Sequence, residues 1–91
     1  MLRVGLAGLG NVGAPLAGNL LAAGLPLRGL ARTARPELEA AGMRPARSVE
    51  ELAETSEVIL TALPGEAALE ALVAGLVRRP GTVRIVADMS S

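Results

Sequence analysis

The chain contains no cysteine, no histidine, no lysine and no aromatic residue, and each absence closes off some chemistry. Without cysteine there is neither a disulfide nor a thiolate nucleophile. With histidine also missing, a metal site has only carboxylates to draw on. One aspartate and scattered glutamates make a poor ligand set, so no metal site is expected. Without aromatics the core must be built from Leu, Val, Ile, Ala and Met. All nine basic residues are arginines, and they balance nine acidic ones to a net charge of zero, which carries no signature of nucleic-acid binding. No apolar run approaches the ~20 residues a membrane-spanning helix requires. The Met-Leu-Arg start leads directly into a glycine-rich turn with no room for a signal peptide, so the cytoplasm is the expected compartment. What remains is a globular composition, 51% apolar over 91 residues, expected to form one small domain over residues 1–91.

The most informative feature present is the opening segment, Val4-Gly5-Leu6-Ala7-Gly8-Leu9-Gly10-Asn11-Val12-Gly13. An apolar strand over about Leu2 to Ala7 enters Gly8-x-Gly10-x-x-Gly13, and a helix over about Asn11 to Ala23 follows. The three glycines have separable tasks: Gly8 bends tightly, Gly10 admits backbone close to a phosphate, and Gly13 lets the helix pack on the strand. A dinucleotide pyrophosphate is the ligand such a turn suits, held on unpaired N–H groups at the helix start. Val12, Leu16, Leu20 and Ala23 are expected to form the apolar stripe of this helix. Pro15 is tolerated in its first turn, Asn19 faces solvent, and Gly24 stops it.

Alternation continues along the chain. Strands are expected at Leu27–Ala31, at Met43–Ala46 on an edge because of Pro45, at Glu57–Leu63 buried on both faces, and at Val83–Ala87. Helices are expected at Arg35–Ala41, at Ser48–Thr55 behind a capping box of Ser48 and Glu51, and at Glu66–Val77. Such alternation specifies an α/β fold, here a Rossmann-type doubly wound parallel sheet of about five strands in the order 3-2-1-4-5.

The end of the second strand indicates which dinucleotide is bound. NAD sites place an acid there for the ribose hydroxyls, and NADP sites place an arginine. The sequence reads Arg28-Gly29-Leu30-Ala31-Arg32-Thr33-Ala34-Arg35, with no acid before Glu37. Arg32 suits a bidentate grip on a 2′-phosphate, with a hydrogen bond from Thr33. A solvated arginine loop is the alternative. NADP is therefore the expected cofactor, with NAD the second candidate.

The segment Gly8-Leu9-Gly10-Asn11-Val12-Gly13-Ala14-Pro15-Leu16-Ala17-Gly18-Asn19-Leu20 resembles the opening of the β-hydroxyacid dehydrogenase family. That family includes 3-hydroxyisobutyrate dehydrogenase and, more distantly, 6-phosphogluconate dehydrogenase and imine reductases. The resemblance continues through Arg32-Thr33, Leu60-Thr61-Ala62-Leu63-Pro64 and Asp88-Met89-Ser90-Ser91. Val12 and Leu16 replace the usual methionines, and Ala31 the usual asparagine. The resemblance implies that Gly8, Leu9, Gly10, Asn11 and Val12 bind pyrophosphate, and Arg32 and Thr33 the adenosine end. It places Leu63 and Pro64 beside the nicotinamide ribose, and Ser90 and Ser91 on substrate carboxylate and cofactor. An ordinary capped turn is the alternative for Asp88 to Ser91.

The resemblance further implies hydride transfer to or from small hydroxy acids, with a catalytic lysine in a second, helical domain. No catalytic residue is assigned in this chain, where Asp88 is the only carboxylate expected at the mouth and a poor acid for an alkoxide. Three expectations follow: the cofactor half of an NADP-dependent β-hydroxyacid dehydrogenase, a stand-alone dinucleotide sensor, or a gene remnant. Apolar faces left uncovered would favour a homodimer.

Overall fold

The computed structural model describes residues 2–63 and 65–89. Its elements run β1 (Val4–Ala7), α1 (Gly13–Ala22), β2 (Leu27–Leu30), α2 (Pro36–Ala40), β3 (Arg44–Pro45), α3 (Val49–Thr55), β4 (Val58–Thr61), α4 (Glu66–Arg78) and β5 (Ile85–Asp88). All pairings are parallel, and the sheet order is β3-β2-β1-β4-β5, a Rossmann-like α/β arrangement.

Period-two alternation in β1 divides the core into two layers. Val4 and Leu6 face α1 and α2, joining Ala17, Leu27, Leu38 and Met43 in one cluster. Ala7 faces the other side, joining Leu52, Ala53, Ile59, Leu72 and Leu76 from α3, β4 and α4. Gly5 lies on that second face, where an added Cβ would collide with the Ser56 hydroxyl. Large residues on one face of β1 and small ones on the other let α3 approach closely.

Helix α1 is shifted from its expected position. It begins at Gly13, its buried residues are Gly13 and Ala17, and Val12 is 50% exposed. Leu16 and Leu20 pack partly against the core, whereas Ala23 is exposed, so the stripe of Val12, Leu16, Leu20 and Ala23 is only half correct. Small residues, not large ones, mark the contact because α1 starts against the backbone of the glycine turn. Asn19 is exposed as expected. The helix stops at Gly24 (φ 82°), whose N–H donates to the Leu21 carbonyl, while that of Leu25 donates to Leu20. These two bonds form the Schellman motif.

Ser48 caps α3 by accepting from the Glu51 N–H at 3.1 Å. The Glu51 carboxylate accepts from the Arg47 N–H at 3.3 Å, one residue earlier than a reciprocal box would have it. Strand β4 is fully buried on one face only: Ile59 and Thr61 are buried, whereas Val58 and Leu60 are half-buried. Strand β5 starts two residues later than expected because Thr82 is tied to α3. Its N–H donates to Ala53, and its hydroxyl donates to the Ser56 carbonyl at 2.7 Å. The chain joins β4 only at Arg84, whose N–H donates to the Glu57 carbonyl at 2.8 Å. No helix among the described residues is long and apolar enough to cross a membrane.

Candidate functional site

The sheet order reverses direction at β1, which is flanked by β2 and β4 with crossovers on opposite faces. A crevice therefore opens at the carboxyl ends of these strands, the usual ligand position in such sheets. Backbone bonds hold the three ends level: the Gly8 N–H donates to the Leu30 carbonyl at 2.9 Å, and Ala62 N–H to Ala7 at 2.8 Å.

The crevice is a cavity of about 670 Å³. Its floor is the turn from Gly8 to Val12, one wall is Leu30 to Thr33 with Arg35, and the other is Ala62, Leu63, Gly65 and Ala68. Gly8 has φ 97°, and a Cβ there would collide with the Ala62 carbonyl oxygen, so the turn needs glycine on both counts. Gly13 lies beneath the turn and does not line the cavity. A Cβ on it would collide with the Gly8 carbonyl oxygen, which makes it the contact between helix and strand. Where a Cβ on Gly10 would stand, no atom beyond its chain neighbours lies within 4 Å, leaving space for an incoming group.

The backbone N–H groups of Gly10, Asn11 and Val12 donate to no acceptor among the described residues. They precede the first turn of α1, where the helix dipole adds partial positive charge. Leu9 offers only backbone to the cavity, since the residue is 5% exposed and belongs to the core. Arg32 and Arg35 are the only charged residues among the described ones lining the cavity. Its polar chemistry is therefore donor-rich and cationic, suited to a phosphorylated ligand.

The structure thus gathers Gly8, Leu9, Gly10, Asn11, Val12, Arg32, Thr33 and Leu63 around one cavity. Pro64, Ser90 and Ser91 lie outside the described residues. Asp88 is not among the residues lining the cavity. Its carboxylate accepts a hydrogen bond from the buried Thr61 hydroxyl at 2.7 Å, locking the ends of β4 and β5 together. Sequence reasoning passed over Arg35, Ala62 and Ala68. The signal for Arg35 was available: it sits in the loop after β2, so a long side chain there reaches the strand ends.

The profile of the NAD binding domain of 6-phosphogluconate dehydrogenase matches residues 3–91. The chain belongs to that family. It is 38% identical over 74 residues to the NAD-dependent L-serine dehydrogenase of Pseudomonas aeruginosa, a match covering 79% of this chain and 25% of that protein. It superposes on the structure of Mycobacterium tuberculosis 3-hydroxyisobutyrate dehydrogenase with L-serine, with a TM-score of 0.81 and 30% identity. That superposition covers 99% of this chain and 32% of the enzyme. A reductive aminase from Aspergillus terreus in complex with NADPH is also similar, with a TM-score of 0.74 and 25% identity over 81% of this chain and 27% of that one. The chain thus spans about a quarter to a third of the length of these relatives. It is an NAD(P)-binding domain of the 6-phosphogluconate dehydrogenase type, and its relatives use either dinucleotide.

Proposed function

We propose that the chain is the NADP(H)-preferring cofactor half of an oxidoreductase acting on the hydroxyl of small β-hydroxy acids. The observation that carries the cofactor preference is the wall of the cavity after β2, where Arg32 and Thr33 stand and no carboxylate is among the described residues lining the cavity. A bound NADP would lay its pyrophosphate on the Gly10–Val12 amides and its 2′-phosphate on Arg32 and Thr33. When bound, the nicotinamide supplies or accepts hydride. The protein's part is to bind the cofactor and aim its nicotinamide end at the mouth near Leu63, with Pro64, Ser90 and Ser91 as the proposed contacts to nicotinamide ribose and substrate carboxylate.

The group that exchanges a proton with the substrate hydroxyl belongs, in this proposal, to the part of the relatives that this stretch does not span. Within residues 1–91 there is no lysine, histidine, tyrosine or cysteine to do it, and Asp88 is held by Thr61. The 91-residue chain is therefore expected to bind dinucleotide without turning over a hydroxy acid.

The test is a fluorescence titration of the purified chain with NADPH and NADH. NADPH should bind roughly 10- to 100-fold more tightly, the range that charge-assisted phosphate hydrogen bonds supply. Arg32→Ala should erase that preference and leave NADH binding nearly unchanged. Tighter binding of NADH by the wild type would overturn the NADP assignment, and binding of neither would overturn the whole reading.

A further inference from the structure

Arg35 makes a contact separate from the turn's own hydrogen bonds and from the Arg32–Thr33 wall. Its Nη2 donates to the carbonyl oxygen of Leu9, in the turn that forms the cavity floor and 26 residues away in sequence. Its Nη1 lies 3.7 Å from the exposed Glu37 carboxylate at the start of α2. One side chain therefore joins the loop after β2 to the glycine turn after β1.

The contact falls on a sensitive bond. Leu9–Gly10 is a planar trans peptide, in which C=O and N–H point in opposite directions. Fixing the Leu9 carbonyl fixes the plane, and with it the direction of the Gly10 N–H. From the glycine side, the Gly10 carbonyl accepts from the Ala14 N–H at 3.0 Å and so fixes the next peptide, whereas the Gly10 N–H has no acceptor among the described residues and no atom beyond the chain neighbours lies within 4 Å of where its Cβ would be. Without a Cβ, Gly10 leaves the Leu9–Gly10 plane more torsional freedom than another residue would. The Leu9 side chain is buried in the core, so the plane is held at one end by packing and at its carbonyl by Arg35.

We propose that Arg35 is a positioning residue, a strap that sets the glycine turn before the cofactor arrives and serves both dinucleotides equally. This rests on the dinucleotide reading of the cavity and adds a division of labour among its cations. Arg32 discriminates between NADP and NAD, whereas Arg35 lowers the ordering cost that either ligand meets.

The test combines two readouts on Arg35→Ala, with Arg32→Ala as the comparison and far-UV circular dichroism to establish that both are folded. In titrations with NADH and NADPH, Arg35→Ala should weaken both by roughly five- to tenfold, the range of one net hydrogen bond. The ratio of the two affinities should stay within about twofold of wild type. Backbone ¹⁵N relaxation without ligand is the second readout. The Gly10 order parameter should fall from the rigid range near about 0.85 toward about 0.6 in Arg35→Ala and remain unchanged in Arg32→Ala. Selective loss of NADPH binding would make Arg35 a 2′-phosphate ligand and overturn the strap, as would unchanged affinity for both. If the wild type binds neither dinucleotide, the functional reading fails on its own. The relaxation data then decide about the strap: an unchanged Gly10 order parameter overturns it, and a lowered one supports it.

Discussion

At the scale of single residues, the three glycines of the turn have different physical tasks, and alanine separates them. A Cβ on Gly10 would enter open space, so Gly10→Ala should change unfolding free energy by no more than about 1 kcal/mol. The added methyl would occupy the space through which a phosphate reaches the turn amides, so dinucleotide affinity should fall at least tenfold, to be read by the same titration. Gly13→Ala meets the Gly8 carbonyl and should cost roughly 1–3 kcal/mol or more in urea denaturation, because neither backbone can yield. Equal stability losses in the two variants would refute this division. Glu57, at the opposite end of the sheet, makes a pH prediction. The Arg3 backbone N–H donates to its carboxylate at 3.1 Å and holds its pKa below the ordinary value, with the Arg3 and Arg84 charges adding to the effect. Its contribution to stability is therefore complete above the ordinary carboxylate pKa and lost as pH falls through the lowered one. Glu57→Gln should flatten the dependence of unfolding free energy on pH between about 5 and about 3. An unchanged slope would remove Glu57 from the acid response.

At the scale of elements, much of the fold is legible because hydrophobic periodicity and turn chemistry agree with tertiary packing. The order β3-β2-β1-β4-β5 follows from alternation and handed crossovers, Pro45 marks the short edge strand, and Gly24 marks the end of α1. The exceptions are contacts made at a distance. The face of α1 centred on Gly13 and Ala17 is set by backbone approach to the glycine turn, which a search for large apolar residues misses. The start of β5 is set by Thr82 bonding to the end of α3, a partner far away in sequence. Arg35 reaches Leu9 across the same kind of separation: its place in the loop after β2 was legible, but the partner it reaches was not. The packing of α3 on β1 yields a further prediction. Ser56 is fully buried beside Gly5, and its hydroxyl has no hydrogen-bond partner among the described residues. Removing an unsatisfied buried hydroxyl relieves a desolvation cost. Ser56→Ala should therefore leave stability unchanged or raise it by up to about 1 kcal/mol in urea denaturation, with the same m-value. A loss of more than about 1 kcal/mol would mean the hydroxyl is satisfied in solution.

At the scale of the whole molecule, support is uneven. Strand β1 is buried along its length between two helical layers, whereas β5 and the outer face of α4 carry exposed apolar side chains, with Ile85 57% and Val77 77% accessible. The cavity lies between these halves, with β1 and β2 on one side and β4 and α4 on the other. A ligand bridging the Gly8–Val12 turn, Arg32 and Leu63 would join the well-supported half to the poorly supported one. Binding to the folded state alone adds about 2.7 kcal/mol when free ligand is about 100 times Kd. A domain of this size shifts its melting temperature by roughly 4–8 °C per kcal/mol. Saturating NADPH should therefore raise the Tm by about 10–20 °C, as followed by circular dichroism. The Gly10→Ala variant gives the control, because it should melt near the wild-type temperature without ligand yet lose most of the shift with it. If its shift matched that of the wild type, NADPH would be acting away from the glycine turn, and the cavity at the carboxyl ends of β1, β2 and β4 would lose its claim to the cofactor.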